Sequence, residues 1–237
     1  MPPPSEFTLR VERMFSEIAP TYDLLNHLLS FGIDIHWRRK TAQALRVPSG
    51  MVLLDIATGT GDTLKQLVRL APRKLVGVDL SQPMLDRCAR KVARQMELGM
   101  IDLYRCSADA LPFPDGMFDG ATITFGIRNF EDKPRCLREI ARVLRPGARL
   151  AIAELTTPQR RPFSTFYDFY FKKMLPFIGG VLSRNLGAYR YLPDSVDRFP
   201  SPSNFCSMME DAGFRDVYAR PLTMGVCMLY VGKRSQP

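Results

Sequence analysis

The chain has 237 residues, 46% hydrophobic and 24% charged, an ordinary globular composition long enough for one large domain or two small ones. No uncharged apolar run reaches the ~18 residues of a membrane span, and Met1 to Ser5 lacks a basic region followed by an apolar one, so neither a transmembrane helix nor a secretory signal is expected. Five scattered cysteines and two histidines, His27 and His36, argue against a disulfide framework or a metal site and for a reducing, cytoplasmic setting; the net charge of +9 suits an anionic surface, but with no RNA-binding signature no nucleic-acid partner is expected.

Residues 6 to 46 read as helical, with apolar residues at Val11, Met14, Phe15 and Ile18 and again at Leu24, Leu25, Leu28 and Leu29, interrupted at Pro20 and Gly32. From about 51 the texture changes. Met51 to Asp55 is a short apolar run of buried-strand type, followed by the turn Ala57-Thr58-Gly59-Thr60-Gly61-Asp62 and a helical pattern through Leu64, Leu67, Val68 and Leu70. Lys74 to Asp79 is a second strand, and Ser81 is the expected N-cap of a helix reaching about Met96. Strands follow at roughly 100–105, 118–125 and 148–154, with a helix at about 132–144 before Arg145-Pro146-Gly147. Residues 157–197 break the alternation with a crowd of aromatics from Phe163 to Phe177 beside Lys172 and Lys173. A helix over 202–212 and a strand pair, Phe214 to Arg220 and Met224 to Lys233, close the chain. Strands alternating with helices imply a mainly parallel sheet covered on both faces. The expected division is an N-terminal helical cap, 1–49, over a single α/β domain, 50–237, carrying a helical insertion at about 157–200.

The turn after the first strand carries the chemistry. Glycines between a strand and a helix allow close backbone approach to a ligand. The turn is not GxxxxGK[ST], which excludes a phosphate-gripping loop, and it lacks the third glycine of a dinucleotide site, since Leu64 stands there. Acidic residues at its start and end, Asp55 and Asp62, suit a cationic amino-acid group. Asp79 ends the next strand, where a carboxylate can hold a ribose diol. That spacing points to S-adenosylmethionine.

The stretches LLDIATGTGD, VGVDLSQPML, ADALPFPDGMFDGATITFGIRNF and REIARVLRPGARLAIAEL resemble the UbiE/MenG family, as do MFSEIAPTYDLLNHLLSFGIDIHWRR before them and RYLPDSVDRFP and AGFRDVYARPLTMGV after them. The resemblance runs from about 12 to 233. It implies a Rossmann-like class I methyltransferase with a seven-stranded sheet whose last strand is antiparallel. It also implies C-methylation of a prenylated quinol, either demethylmenaquinol or a methoxy-polyprenyl-benzoquinol, with S-adenosylhomocysteine as the other product. Cofactor contacts implied by the turn and the resemblance together are Asp55, Thr58, Gly59, Thr60, Gly61 and Asp62, then Asp79 and Leu80, then Ser107, Ala108 and Asp109, and finally Thr124. Ser107 stands where many relatives carry an acidic or amide residue, so Asp109 is the alternative contact to the adenine amino group. Relatives often carry a histidine near Leu229-Tyr230; this chain has none there.

Carbon methylation needs a ring hydroxyl to lose its proton and an electrostatic partner for the resulting oxygen. Arg128 in FGIRN is the first candidate partner, the alternative being a structural hydrogen-bonding role. Tyr22, Asp23 and Asn26 are expected to complete the pocket, and no metal is expected. The aromatic insertion reads equally as a lid over a prenyl chain or as core. Another lipidic phenol or small metabolite as acceptor, and a non-catalytic cofactor- or lipid-binding protein, remain open alternatives, as do homodimerisation and contact with the inner face of a membrane.

Overall fold

The computed structural model describes residues 5–158 and 186–236. The N-terminal stretch forms three helices, α1 (Glu6–Ile18), α2 (Tyr22–Leu29) and α3 (Ile33–Ala44). Pro20 separates the first two, and Gly32, at φ +74, caps the third in a left-handed conformation. The α/β part follows as β1 (Val52–Ile56), α4 (Asp62–Leu67), β2 (Lys74–Asp79), α5 (Gln82–Lys91), α6 (Ala93–Glu97), β3 (Ile101–Arg105), β4 (Phe118–Thr124), α7 (Lys133–Val143) and β5 (Leu144–Leu155). After the aromatic segment, which lies outside the described residues, come α8 (Leu186–Asp197), α9 (Pro202–Asp211), β6 (Phe214–Leu222) and β7 (Cys227–Arg234).

The seven strands form one sheet in the order β3-β2-β1-β4-β5-β7-β6. Strand β7 runs antiparallel to both of its neighbours, and the other described pairings are parallel. The sheet is thus mainly parallel, as the alternation of elements implies, with the Rossmann-like order and antiparallel last strand that the resemblance implies. Strand β1 is central and wholly buried, which explains its unbroken apolar run. Its alternate residues feed two cores. Leu54 joins Val76, Ile123, Ile140 and Leu150 on one face. Leu53 joins Leu64, Leu75 and the α3 residues Trp37 and Ala42 on the other.

Two local readings shift. The helix begun by Ser81, whose hydroxyl accepts from Met84 N, stops at Lys91 and resumes as α6 after the non-helical Val92. The strand expected at 148 begins at Leu144, because β5 pairs Leu144 with Phe118 and then bulges through Arg-Pro-Gly before regular pairing resumes at Arg149. The switch in strand order between β1 and β4 opens a crevice at the carboxyl edge, where ligands bind in such sheets. Leu54 is fully buried in the sheet that builds this edge. Leu54→Ala is expected to lower unfolding free energy by about 2–5 kcal/mol in urea denaturation.

Candidate active site

At the carboxyl edge the chain leaves β1 through a turn with three left-handed residues, Ala57 (φ +53), Gly59 (φ +55) and Gly61 (φ +87). A Cβ at Gly59 would meet nothing within 4 Å, so the backbone there borders open space. A Cβ at Gly61 would lie 2.5 Å from Cys88 Sγ, so this glycine serves packing against α5.

The turn is held from behind by Asp79. Its carboxylate accepts from Gly59 N at 2.8 Å and from Ser81 N at 2.9 Å. Burial pushes its carboxyl above the ordinary range, while the backbone N–H groups of Ser81, Gly59 and Leu80 pull it back. Asp55 is 1% exposed and accepts from Thr58 Oγ1 at 2.7 Å and Thr122 Oγ1 at 2.6 Å. Burial pushes its carboxyl up to about 6 against those two hydrogen bonds. A methylene-sized change at Gly126 would also disturb this edge, since a Cβ there would meet Ala57 Cβ at 2.6 Å.

Above the crevice lies a cavity of about 720 Å³. Its walls include Gly59, Asp79 and Leu80 on one side, Ser107, Ala108 and Asp109 on another, and Thr124, Phe125 and Gly126 from the end of β4. Tyr22 and the underside of α1 close it from above. Thr124 Oγ1 is buried without a partner among the described residues, and Asp109 faces Arg135 at 3.5 Å.

The remaining residues singled out by sequence lie around this cavity, not on its wall. Asp55 and Thr58 form the inner support just described. Thr60 donates to Asp23 at 2.5 Å. Lys91 Nζ then contacts Asp23 and Asp62, each at 2.7 Å, and Thr60 at 3.0 Å. His27 approaches Asp62 at 3.5 Å. Asp23, Thr60 and Asp62 therefore belong to a polar joint between α2, the turn and α5, and Gly61 packs behind it on Cys88. Asn26 is half-buried on α2, outside the cavity wall. Tyr22 does line the cavity, edge-on to Phe15 at 6.1 Å.

Arg128 sits in a helical turn over Ile127–Asn129, just past β4. Its Nη1 donates to Glu154 Oε1 at 2.6 Å and to Phe125 O at 2.7 Å, and its backbone N donates to Glu154 Oε2 at 3.0 Å. Glu154 is fully buried. Burial works against the Arg128 charge, but Glu154 outweighs it and holds the guanidinium above its usual range, with Tyr22 and Tyr191 also close enough to be felt. The Arg128 Nε is buried with no partner among the described residues. Arg128 itself does not line the cavity, whereas its neighbours Gly126 and Asn129 do, and Asn129 Oδ1 accepts from Tyr191 Oη at 3.1 Å. Sequence reasoning missed Glu154 and Lys91, and it expected an N-terminal cap without naming the α1 residues that line the cavity. Only Glu154 left a signal, as an acid ending the apolar run LAIAE.

The model of the ubiE/COQ5 methyltransferase family matches residues 6–234. A Thermus thermophilus protein named demethylmenaquinone methyltransferase is 48% identical over 223 residues, 93% of this chain and 100% of that one. A Geobacter sulfurreducens protein named ubiquinone/menaquinone biosynthesis C-methyltransferase UbiE is 46% identical over 227 residues, 95% of this chain and 88% of that one. Among solved structures, an S-adenosylmethionine-dependent methyltransferase from Aquifex aeolicus superposes with a TM-score of 0.61 at 19% identity, covering 85% of this chain and 91% of that one. The [4+2]-cyclase SpnF superposes at 0.63 and 16%, covering 96% of each chain. At these identities the structural likenesses show the fold alone, and the second illustrates that the fold does not choose the reaction.

Asp55 makes a testable link between burial and stability. The folded state keeps its proton up to about pH 6, while the unfolded carboxyl loses it near 3.8. Its contribution is therefore full below pH 3.8 and is lost as pH rises through about 6. Asp55→Asn lacks this loss. In urea denaturation the variant is expected to gain about 2 kcal/mol relative to wild type between about pH 4.5 and 7.5. A pH-independent difference would mean that the carboxyl titrates normally.

Proposed function

The chain belongs to the ubiE/COQ5 methyltransferase family, and from that premise we propose that it transfers the methyl group of S-adenosylmethionine to a ring carbon of demethylmenaquinol, with a methoxy-polyprenyl-benzoquinol as the other acceptor of the same chemistry. The observation that carries this reading is the cavity at the strand switch, with the Asp79 carboxylate on one wall and Tyr22, close to the Arg128–Glu154 pair, on another.

The residues present fit such a cofactor. Gly59 borders open space, Thr124 offers a buried hydroxyl with no partner among the described residues, and Asp79 lines the cavity as a preorganised acceptor for a diol. Ala108 offers a backbone edge to a planar ring, with Ser107 and Asp109 beside it. When bound, the cofactor supplies an electrophilic methyl on sulfur. Asp55 and the Asp23–Lys91–Asp62 joint act one layer further out, holding the turn rather than the ligand.

Tyr22 places a hydroxyl on the cavity wall close to the Arg128–Glu154 pair, so we assign it to donate a hydrogen bond to the acceptor's ring oxygen. Arg128 is a positioning residue in this reading. It fixes Phe125 to Asn129 at the cavity wall through Phe125 O and Glu154, which balances its charge. Asp23 and Asn26 support α2. The cap also carries Leu24 at 69%, Leu28 at 52% and Ile35 at 47% exposure. Such a face suits peripheral contact with the lipid that holds a prenylated substrate. Among the described residues no helix is long and apolar enough to cross a membrane.

The test is transfer of labelled methyl to short-tailed demethylmenaquinol and benzoquinol under reducing conditions. Tyr22→Phe is expected to lower kcat about 100-fold with an unchanged melting temperature. Arg128→Ala is expected to lose activity and also about 3–5 kcal/mol of stability, because it strands the buried Glu154. Binding of cofactor without label on either ring would overturn the quinol assignment.

A further inference from the structure

Helix α1 is fastened unlike the helices of the α/β part. Of its 13 residues only Val11 and Ile18 are buried. Ile18 packs in a small cluster with Leu25, Met84 and Val196. From Ser5 to Phe15, however, the helix contributes Ser5, Thr8, Val11, Glu12 and Phe15 to the cavity wall. A helix lying over a void lacks the partner atoms that would hold it by dispersion.

The Ile18 cluster, with Met14 and Phe15 against it, holds the C-terminal half; the remaining fastenings are polar, and each polar contact ends at the cavity rim. The hydroxyls of Ser5 and Thr8 both donate to Glu131, the second at 3.1 Å. Arg105 donates to Glu12 at 2.7 Å and, through Nε, to Leu80 O at 2.9 Å. Ser16 and Ser81 share a hydrogen bond at 2.8 Å. Arg105 ends β3 and Glu131 follows β4, strands on opposite flanks of the β2–β1 pair. The contacts therefore span the crevice. At the far end of the helix, Pro20 interrupts the chain before α2.

We infer that α1 is a hinged gate on the cofactor cavity, latched by the Glu12–Arg105 pair and by Glu131 with Ser5 and Thr8, and that opening these latches sets the rate at which the spent cofactor leaves. The inference rests on the cofactor reading above. Arg105 is 54% exposed, so its pair is screened by salt and each latch is worth about a two- to five-fold change in an equilibrium. Weak fastening suits an element that must open in every turnover.

The test is the dissociation rate of S-adenosylhomocysteine from the full chain by stopped flow. Trp37 supplies the signal, since it is the one tryptophan and lies 5.8 Å from the ring of Phe125 in the cavity wall. Glu12→Gln and Glu131→Gln are each expected to raise the dissociation rate about two- to five-fold, and together about ten-fold. Association should rise as well, so that affinity changes less than either rate. Added salt should speed release from wild type and have little effect in Glu12→Gln. Lower melting temperatures with unchanged release rates would make α1 a structural cover only and overturn the gate. Failure of the wild-type chain to bind S-adenosylhomocysteine would instead remove the cofactor reading, and the gate with it.

Discussion

The carboxylate of Asp79 is the constraint around which the carboxyl edge is organised. One oxygen takes the N–H of Gly59 and the other the N–H of Ser81, so a single side chain at the end of β2 fixes both the glycine turn and the start of α5. A buried carboxylate is tolerable only when such donors surround it. The donors are backbone groups held by the sheet, so the arrangement is rigid before any ligand arrives. Asp55 performs the matching task one strand away, with two threonine hydroxyls in place of amides. The difference in donors is consistent with the two environments: Asp79 reaches the cavity wall, and Asp55 stays behind it.

A second layer joins the cap to this edge. Lys91 stands among Asp23, Asp62 and Thr60, and His27 links Asp62 to Asp34. Asp62, the acid that closes the turn, and Asp23 beside it are thus balanced by the protein's own Lys91. The joint ties α2, α3, α4 and α5 by charge and hydrogen bonds, beside the apolar packing of Trp37 and Ala42 on the core and of Leu25 on Met84. Its position in turn places Tyr22 over the cavity.

The Arg128–Glu154 pair is a third kind of element. Both charges are buried, and the guanidinium also braces the carbonyl of Phe125. Desolvation makes such a pair a poor source of net stability, although breaking it is costly. Its retention at the edge of a cavity is understandable if the turn it braces, Phe125 to Asn129, must not move. One donor, Nε, has no partner among the described residues, a sign that local stability is not what this corner is built for.

Much of this was legible in the sequence because the signals are local. Period-two and period-3.6 patterns placed the elements, Pro20 and Gly32 marked the helix breaks, Ser81 announced a cap, and the turn after β1 with Asp79 18 residues beyond Gly61 marked the edge at which the cavity lies. The site's inner anatomy was not legible, because it depends on contacts between residues far apart in the chain. Glu154 meets Arg128 across 26 positions, Asp23 meets Thr60 across 37, and Glu12 meets Arg105 across 93. Whether an acid faces the cavity, as Asp79 does, or turns inward, as Asp55 does, is decided by the hydroxyls and amides that neighbouring strands bring to it. The sequence by itself determined the kind of sheet and the edge that carries the cavity; only the tertiary structure decided which side chains form the wall, which support it and which lie over it, because a polar group's role is set by partners that strand order alone brings together.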